Sequence, residues 1–420
     1  MNTKPTITPR FLSIICFLLI LTSCGNTKKI GQTQDNNTMD FAIKRLETAL
    51  HDTPNPKRIP RSIKKDGSLK SVGPYDWTSG FFPGSLWYVY ELTQGEKWKT
   101  KAITRTEVLD TIQYWTGNHD VGFIMNCSYG NGLKFGNQQH YKAVLVQTAE
   151  SLSKRFNPTA KVLKSWQRFK AWNGQIWRYP VIIDNMMNLE LLFEATKLSG
   201  NPKYQAIAVQ HAQTTMKNHY RNDYSSYHVV NYDTITGNVL AKKTAQGFAD
   251  ESAWARGQAW GLYGYTLCYR YTKDPAFLDF AEHIANYIIN NPNLPKDMVP
   301  YWDYNAASKL LVPEWKYNAA DFPVIPRDAS AAAITASALL ELSGYSSQKE
   351  TFKAAAEKII KSLSSPAYMV KNGKNKYFIL DHSVGSIPHG AEIDVPLNYA
   401  DYYFLEALYR KGRMEQNKTF

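Results

Sequence analysis

Residues 252–271 read SAWARGQAWGLYGYTLCYRY and pass through Tyr271-Thr-Lys-Asp274-Pro-Ala-Phe277 into residues 277–289, FLDFAEHIANYII. The first stretch is apolar nearly all round, which suits a helix buried on every side. The second is amphipathic and suits a helix with one wet face. The same two textures alternate along the chain. Residues 185–198, 329–342 and about 396–409 are of the buried kind, while 204–216 and 352–363 are one-faced. Within 204–216, Tyr204, Ile207, His211 and Thr215 recur at helical spacing. Alternation of this kind predicts inner helices around an axis with outer helices wrapped over them.

An internal repeat carries the same message. The joint between an inner and an outer helix recurs as Leu92-Thr-Gln-Gly95-Glu-Lys-Trp98, Leu198-Ser-Gly200-Asn-Pro-Lys-Tyr204, Tyr271 to Phe277, and Leu342-Ser-Gly344. Each time a small or turn-forming residue ends one helix and an aromatic begins to bury the next. About eleven helices are legible, close to six hairpins, and the expected fold class is all-α. A single domain over 39–420 is favoured, with an open solenoid of helical pairs as the alternative. Segments 60–84, 116–136, 166–184, 220–250, 291–328 and 371–396 are rich in Gly, Asn, Trp and Pro. They are read as rim loops, one set of which carries the site.

The N-terminus speaks to destination. Lys4 and Arg10 precede an apolar run, Phe11 to Leu21, that breaks into Leu21-Thr22-Ser23-Cys24-Gly25. The run is too short to span a membrane and fits an export signal. Its cysteine resembles the lipid-modified first residue of bacterial lipoproteins. The expectation is a lipoprotein signal over 1–23, lipidation at Cys24, a flexible tether over 24–38, and attachment to a bacterial membrane, in the periplasm or at the cell surface, through that anchor only. Cys127 and Cys268 alone make no disulfide framework and are read as buried free thiols.

Charge and composition narrow the partner. The net charge is +13, but the cations are dispersed and no finger, helix-turn-helix or basic stripe appears, so nucleic acid is not expected. A cationic exported protein suits an anionic polysaccharide, and 11 Trp and 27 Tyr offer flat faces for sugar rings, although a large helical core also consumes aromatics. No His-Glu-x-x-His, paired cysteines, phosphate-binding glycine loop or Gly-x-Ser-x-Gly elbow is present, so neither metal nor cofactor is expected.

Acids beside aromatics in the rim segments have the composition of a sugar-cleaving site. Asp120 stands in His119-Asp120-Val-Gly-Phe123, and Asp184 follows Val-Ile-Ile at the entrance to a buried helix. Each also fits a plain turn or N-cap role. Partial desolvation would raise the Asp184 pKa into general-acid range.

Five motifs together resemble the unsaturated glucuronyl hydrolases, glycoside hydrolase family 88. They are Trp77-Thr-Ser-Gly-Phe-Phe-Pro-Gly84, His119-Asp120-Val-Gly-Phe123, Ile183-Asp184-Asn-Met-Met-Asn188, Trp254-Ala-Arg256-Gly-Gln-Ala-Trp260 and Asp401-Tyr-Tyr-Phe404, in the family's order over about residues 70–410. The resemblance implies a six-hairpin (α/α)6 barrel. It implies removal of a 4,5-unsaturated uronic acid from the non-reducing end of lyase-generated oligosaccharides, and the surplus positive charge points to sulfated ones of glycosaminoglycan or ulvan type. The target would be an enol ether: protonation at C4 leaves positive charge at C5, water adds there, and the hemiketal opens with loss of the aglycone. By resemblance Asp184 protonates C4 and then helps activate water, while Asp120 holds ring hydroxyls and steadies positive charge. His228 and Gln246 match polar residues near the double bond, and Thr244, Ser383 and Ser386 match contacts to the next sugar; the region 377–392 would read that sugar and any sulfate. Arg256 needs a partner, either the substrate carboxylate, an active-site Asp, or a salt bridge to Asp250 or Glu251. Trp77 and Trp260 either stack on the sugar or pack in the core. Alternatives are an unsaturated rhamnogalacturonyl hydrolase, which the His-Asp-Val-Gly segment disfavours, and a non-catalytic glycan-binding lipoprotein.

Overall fold

The computed structural model describes residues 23–370 and 372–418, with side chains from residue 37 onward. Contacts divide the chain into two units, the second running from Arg45 to Phe420. The leader expected over 1–23 lies, up to residue 22, outside the described residues. Helix α1, Ser23–Asp52, crosses the boundary between the units. The segment read as a tether is therefore helical. No proline interrupts the amide ladder between Ser23 and Asp52, and Leu46 and Ala49 are buried, so a helix nucleated there propagates backwards at little further cost.

The larger unit is a double ring. Its inner elements begin with α2, Phe81–Thr93, and are otherwise separated by outer ones. Outer α3, Glu96–Glu107, is followed by an inner run built from α4, Val121–Met125, a π-turn over Asn126–Gly130, and α5, Asn131–Gly136. Next come α6, Tyr141–Ser153 (outer), a 3-10 turn over Ile183–Asn188 continuing into α7, Leu189–Ser199 (inner), and α8, Pro202–His219 (outer). The remaining hairpins are α9, Ala255–Thr272, with α10, Pro275–Ile289, and α11, Ala329–Ser343, with α12, Lys349–Leu363. Inner α13, Asn398–Glu415, packs against α11 and α2 and closes the ring. The end of α1 within this unit takes the sixth outer position: Glu47 reaches Lys97 of α3 at 2.8 Å, and Arg45 donates to the carbonyls of Val370 and Asn375 beyond α12. This is an (α/α)6 barrel.

Burial separates the two kinds as their sequences require. Every residue of α11 is buried, whereas α12 buries only Phe352, Ala355, Ala356, Ile359, Ile360 and Leu363, one stripe at helical spacing. The joints follow suit. Gln94, Gly200 and Lys273 end their helices in the left-handed conformation, and Asn201 and Asp274 then cap α8 and α10 ahead of a proline. Gly344 does not conform; it stays right-handed at φ −72°.

Segment 116–136 departs from its reading as a loop. Its glycines serve close packing: a Cβ on Gly132 would lie 2.5 Å from the Tyr141 ring, and one on Gly136 2.5 Å from Trp87. Short antiparallel strands lie between the helices: β1, Ile59–Ile63, with β2, Leu69–Val72; β3, Phe156–Asn157, with β4, Val162–Leu163; and β5, Phe169–Lys170, with β6, Ile176–Trp177. A three-stranded sheet joins β7, Pro180–Ile182, to β8, Val229–Tyr232, to β9, Val239–Lys243. The last hairpin is β10, Ser383–Ser386, with β11, Ala391–Val395. Cys127 and Cys268 are buried and free.

A polar network ties the inner helices together away from their starting rim, from mid-helix positions to the last turns of α9 and α11. Glu406 of α13 accepts from Tyr88 of α2 at 2.7 Å, Tyr263 of α9 at 3.0 Å and Ser337 of α11 at 2.6 Å. Arg410 pairs with Glu341 at 2.9 Å, and Arg270 joins Glu341 to Glu190 of α7. Removing one partner strands a buried charge, so Arg410→Met is expected to cost about 3–5 kcal/mol. A urea titration checks this; a loss under about 1 kcal/mol would show that the ring closes without the network.

Candidate active site

Six inner elements alternating with outer ones run parallel, so one rim collects the N-terminal end of each. Trp77 precedes α2, Asp120 precedes α4, Asp184 lies in the turn before α7, Arg256 opens α9, Asp328 caps α11 and Asn398 opens α13. Aligned N-termini favour negative charge nearby.

The sheet places the first acid. Ile182 of β7 pairs with Val229 of β8, and Ile183 N donates to His228 O at 3.0 Å. That register sets Asp184 beside His228, whose Nε2 lies 3.7 Å from Asp184 Oδ2. His228 Nδ1 accepts from the backbone N–H groups of Ala245 at 3.0 Å and Gln246 at 3.1 Å. A ring nitrogen that accepts carries no proton, so the neutral imidazole presents its N–H, on Nε2, to Asp184. Burial holds the His228 pKa well below its ordinary value, with the Arg256 charge adding to the effect. Asp120 has the same kind of neighbour: His119 Nε2 stands 3.2 Å from Asp120 Oδ1.

Neither aspartate caps a helix. Asp120 precedes α4 without a side-chain cap bond, and Asp184 sits inside the 3-10 turn. Both are buried. Burial pushes Asp184 up to about 7, against Arg256, its own backbone N–H and the Trp260 indole. The indole and Asp184 Oδ2 make no hydrogen bond of normal geometry, so its influence is that of a nearby dipole. Burial and the charge of Asp184 push Asp120 up to about 8, while Asn118 and Arg155 draw it down. The pair therefore titrates near neutrality, and ionisation of one member opposes ionisation of the other.

The remaining residues expected from the sequence fall around these two. Arg256 is 1% exposed and pairs with Asp328 at 3.1 Å; it also donates to the carbonyls of Val384 and Gly385, the latter at 2.6 Å. Its ion-pair partner is thus neither Asp250, which takes Lys243, nor Glu251, which takes Arg221. Those acids stand on the outward part of the segment before α9, whereas the Arg256 side chain points into the ring. Its guanidinium lies 4.5 Å from the Trp254 ring, which in turn lies 4.7 Å from His228. Trp260 is fully buried against Phe123 and Tyr403, so it offers the site an indole N–H rather than a face. Trp77 is half-buried beside Tyr399 and Phe123.

Gln246 donates to Gly385 O at 3.3 Å, linking the His228 side to β10. Ser383 and Ser386 are buried on that strand, and Ser386 Oγ lies 2.7 Å from His389 Nδ1, whose ring packs on Trp172. Thr244 is buried in a turn, accepting from Gly247 N. Asp401 accepts from the backbone N–H groups of Ile379 and Leu380 and anchors the approach to β10. Among the described residues no group of His, Cys, Asp and Glu is disposed to hold a metal ion. Residues that the sequence reading left without a role are His119, Asn188 and Asp328. The spacing of Asn188 four positions after Asp184, one turn along the same element, was the available signal.

Buried acids that act on sugars, set on the rim of an (α/α)6 barrel, define a class of carbohydrate-active enzymes. No family model matches the chain. An unsaturated glucuronyl hydrolase of Formosa agariphila is 50% identical over 358 residues, 85% of each chain. An unsaturated chondroitin disaccharide hydrolase of Streptococcus pyogenes is 29% identical over 392 residues, 91% of this chain and 92% of that one. A solved unsaturated glucuronyl hydrolase, specific for heparin, superposes with a TM-score of 0.84 at 46% identity, covering 93% of this chain and 100% of the other. The chain belongs to the unsaturated glucuronyl hydrolase family, glycoside hydrolase family 88. It is a glycosidase that acts by hydrating an enol ether.

The raised pKa values have a thermodynamic consequence. Both carboxyls titrate higher folded than unfolded, so the stability they carry is complete below pH about 4 and is lost as pH rises through about 7 and 8. Asp184→Asn, which cannot ionise, is expected to raise the melting temperature over wild type at about pH 8.5, with the gain vanishing near pH 4. An equal gain at both values would remove the buried charge as its cause.

Proposed function

We propose that Asp184 delivers the proton to C4 of a 4,5-unsaturated uronate and that Asp120 steadies the positive charge that follows. The supporting observation is the pairing of two buried carboxyls, each facing the Nε2 of a neutral histidine, with pKa values near neutrality. An acid that protonates carbon must still hold its proton at the working pH, which burial of Asp184 provides. Water then adds at C5, for which the same carboxylate is a base, and the hemiketal opens to release the aglycone. Trp77, His228, Gln246 and Arg256 would surround the uronate. Thr244, Ser383 and Ser386 would face the next sugar.

The proposed substrate is a sulfated oligosaccharide. The net charge of +13 supports an anionic ligand, and relatives act on heparin-derived and chondroitin-derived products. We also propose that the protein is exported and held to a membrane by lipid on Cys24, as its leader sequence suggests. No helix among the described residues is long and apolar enough to cross a membrane.

Turnover is followed as loss of the ultraviolet absorbance of the double bond, across lyase-generated disaccharides with and without sulfate. Asp184→Asn is expected to lower kcat about 10²–10⁴-fold, and wild-type kcat/KM to fall as pH rises through about 7. An active Asp184→Asn enzyme would end the assignment of the acid, and faster turnover of unsulfated products would end that of the substrate. Cys24→Ser is expected to move the protein from the membrane to the soluble fraction; unchanged membrane association would refute the anchor.

A further inference from the structure

Asn188 stands behind Asp120, and its amide is oriented from both sides. Its Oδ1 accepts from Phe123 N at 2.8 Å, so Nδ2 is the atom 3.2 Å from His119 Nδ1. An amide nitrogen donates and does not accept. His119 Nδ1 is therefore the acceptor, and the proton of the neutral ring lies on Nε2, 3.2 Å from Asp120 Oδ1. Burial keeps the ring neutral, drawing its pKa down to about 3, with Arg155 adding to this. Asn185 is the opposing influence, favouring a protonated ring, but its Oδ1 is occupied by Asn188 Nδ2 at 3.3 Å.

Gly122 makes the approach possible. A Cβ there would collide with Asn188 Oδ1 and stand 2.6 Å from its Cβ. The glycine of His-Asp-Val-Gly and the asparagine of Ile-Asp-Asn-Met-Met-Asn are thus two halves of one contact.

We propose that Asn188 is a positioning residue that fixes the tautomer of His119 and thereby keeps the ring proton on Nε2, close beside Asp120 although not hydrogen-bonded to it. The inference rests on the assignment of Asp120 to the reaction. That N–H favours the carboxylate form, the form able to steady positive charge on the sugar. It works against the burial that pushes Asp120 up to about 8, above Asp184 at about 7, and so helps divide the two roles. Charged and titratable neighbours of this unit are Arg155, Asp184, Asp76 and His211.

Histidine nitrogen-15 NMR on the full chain reads the tautomer directly, with the His119 signals assigned by their loss in His119→Gln. In wild type, Nδ1 is expected to be unprotonated and Nε2 protonated from about pH 5 to 9. Asn188→Asp keeps an acceptor for Phe123 N but removes the donor, so Nδ1 should take up a proton. The pH profile of kcat/KM should move with it, and kcat should drop about tenfold or more. A protonated Nδ1 in wild type overturns the proposal without recourse to any variant, as does an Asn188→Asp enzyme with unchanged ring signals and pH profile. Full turnover by Asp120→Asn would instead refute the role of Asp120 and leave the tautomer result standing.

Discussion

The carboxylate of Glu406 is where the inner ring closes. Helices converging on one axis bring polar groups together where water does not reach, and each must find a partner or carry a desolvation cost. Glu406 gathers hydroxyls from α2, α9 and α11, and the neighbouring Arg410–Glu341–Arg270–Glu190 chain draws in α7. Burial works to raise the Glu341 pKa, and Arg270 with Arg410 overcomes it. Glu190 is the surplus acid, and its pKa is raised. This end of the ring is therefore specified by mutual satisfaction. The opposite end is not: there Asp184 Oδ2, His228 Nε2 and Trp260 Nε1 lack hydrogen-bond partners within the protein. A base held by so many mutual contacts lets a reactive rim keep groups that a marginal fold could not.

Chain direction decides which rim that is. Each outer helix returns the chain so that every inner helix starts at the same end, and the chemistry lies there because N-termini favour anions. For the two aspartates this field is not decisive. Burial raises both pKa values although Arg256 and Arg155 oppose it, so desolvation outweighs the local positive potential. The substrate carboxylate, arriving from water into the same field, has a different balance: the positive rim is available to it in full. One electrostatic setting can thus suit a bound anion and neutral acids together.

The alternation of helix textures made the double ring legible, because all-round apolar sequence and one-faced sequence bury differently whatever surrounds them. The two acids were legible only as candidates, since Asp also caps helices and turns chains. What separated these readings is tertiary: the β7–β8 register that lays His228 beside Asp184 pairs Ile182 with Val229 and Pro180 with Asn231, far apart in the chain. Glycine misled in segment 116–136, where it signals contact with Trp87 and Tyr141 rather than a loop. The partner of Arg256 was also out of reach. Asp328 lies 72 residues away, and local acids such as Asp250 and Glu251 looked more available until Lys243 and Arg221 were seen to occupy them.

That arginine joins the support of the rim to its chemistry. Paired with Asp328, which caps α11 through Ser330 and Ala331, and bonded to carbonyls of β10, it fixes the wall that bears Ser383 and Ser386. The same positive charge lowers the Asp184 pKa against the pull of burial. Loss of the guanidinium would release β10 and also leave Asp184 a weaker acid, so position and acidity cannot be adjusted separately. An acid for an enol ether needs such a compromise: held too tightly, the proton does not reach C4, and held too loosely, it is gone before the substrate arrives. Burial sets one limit and Arg256 the other, and the value near 7 is where they meet.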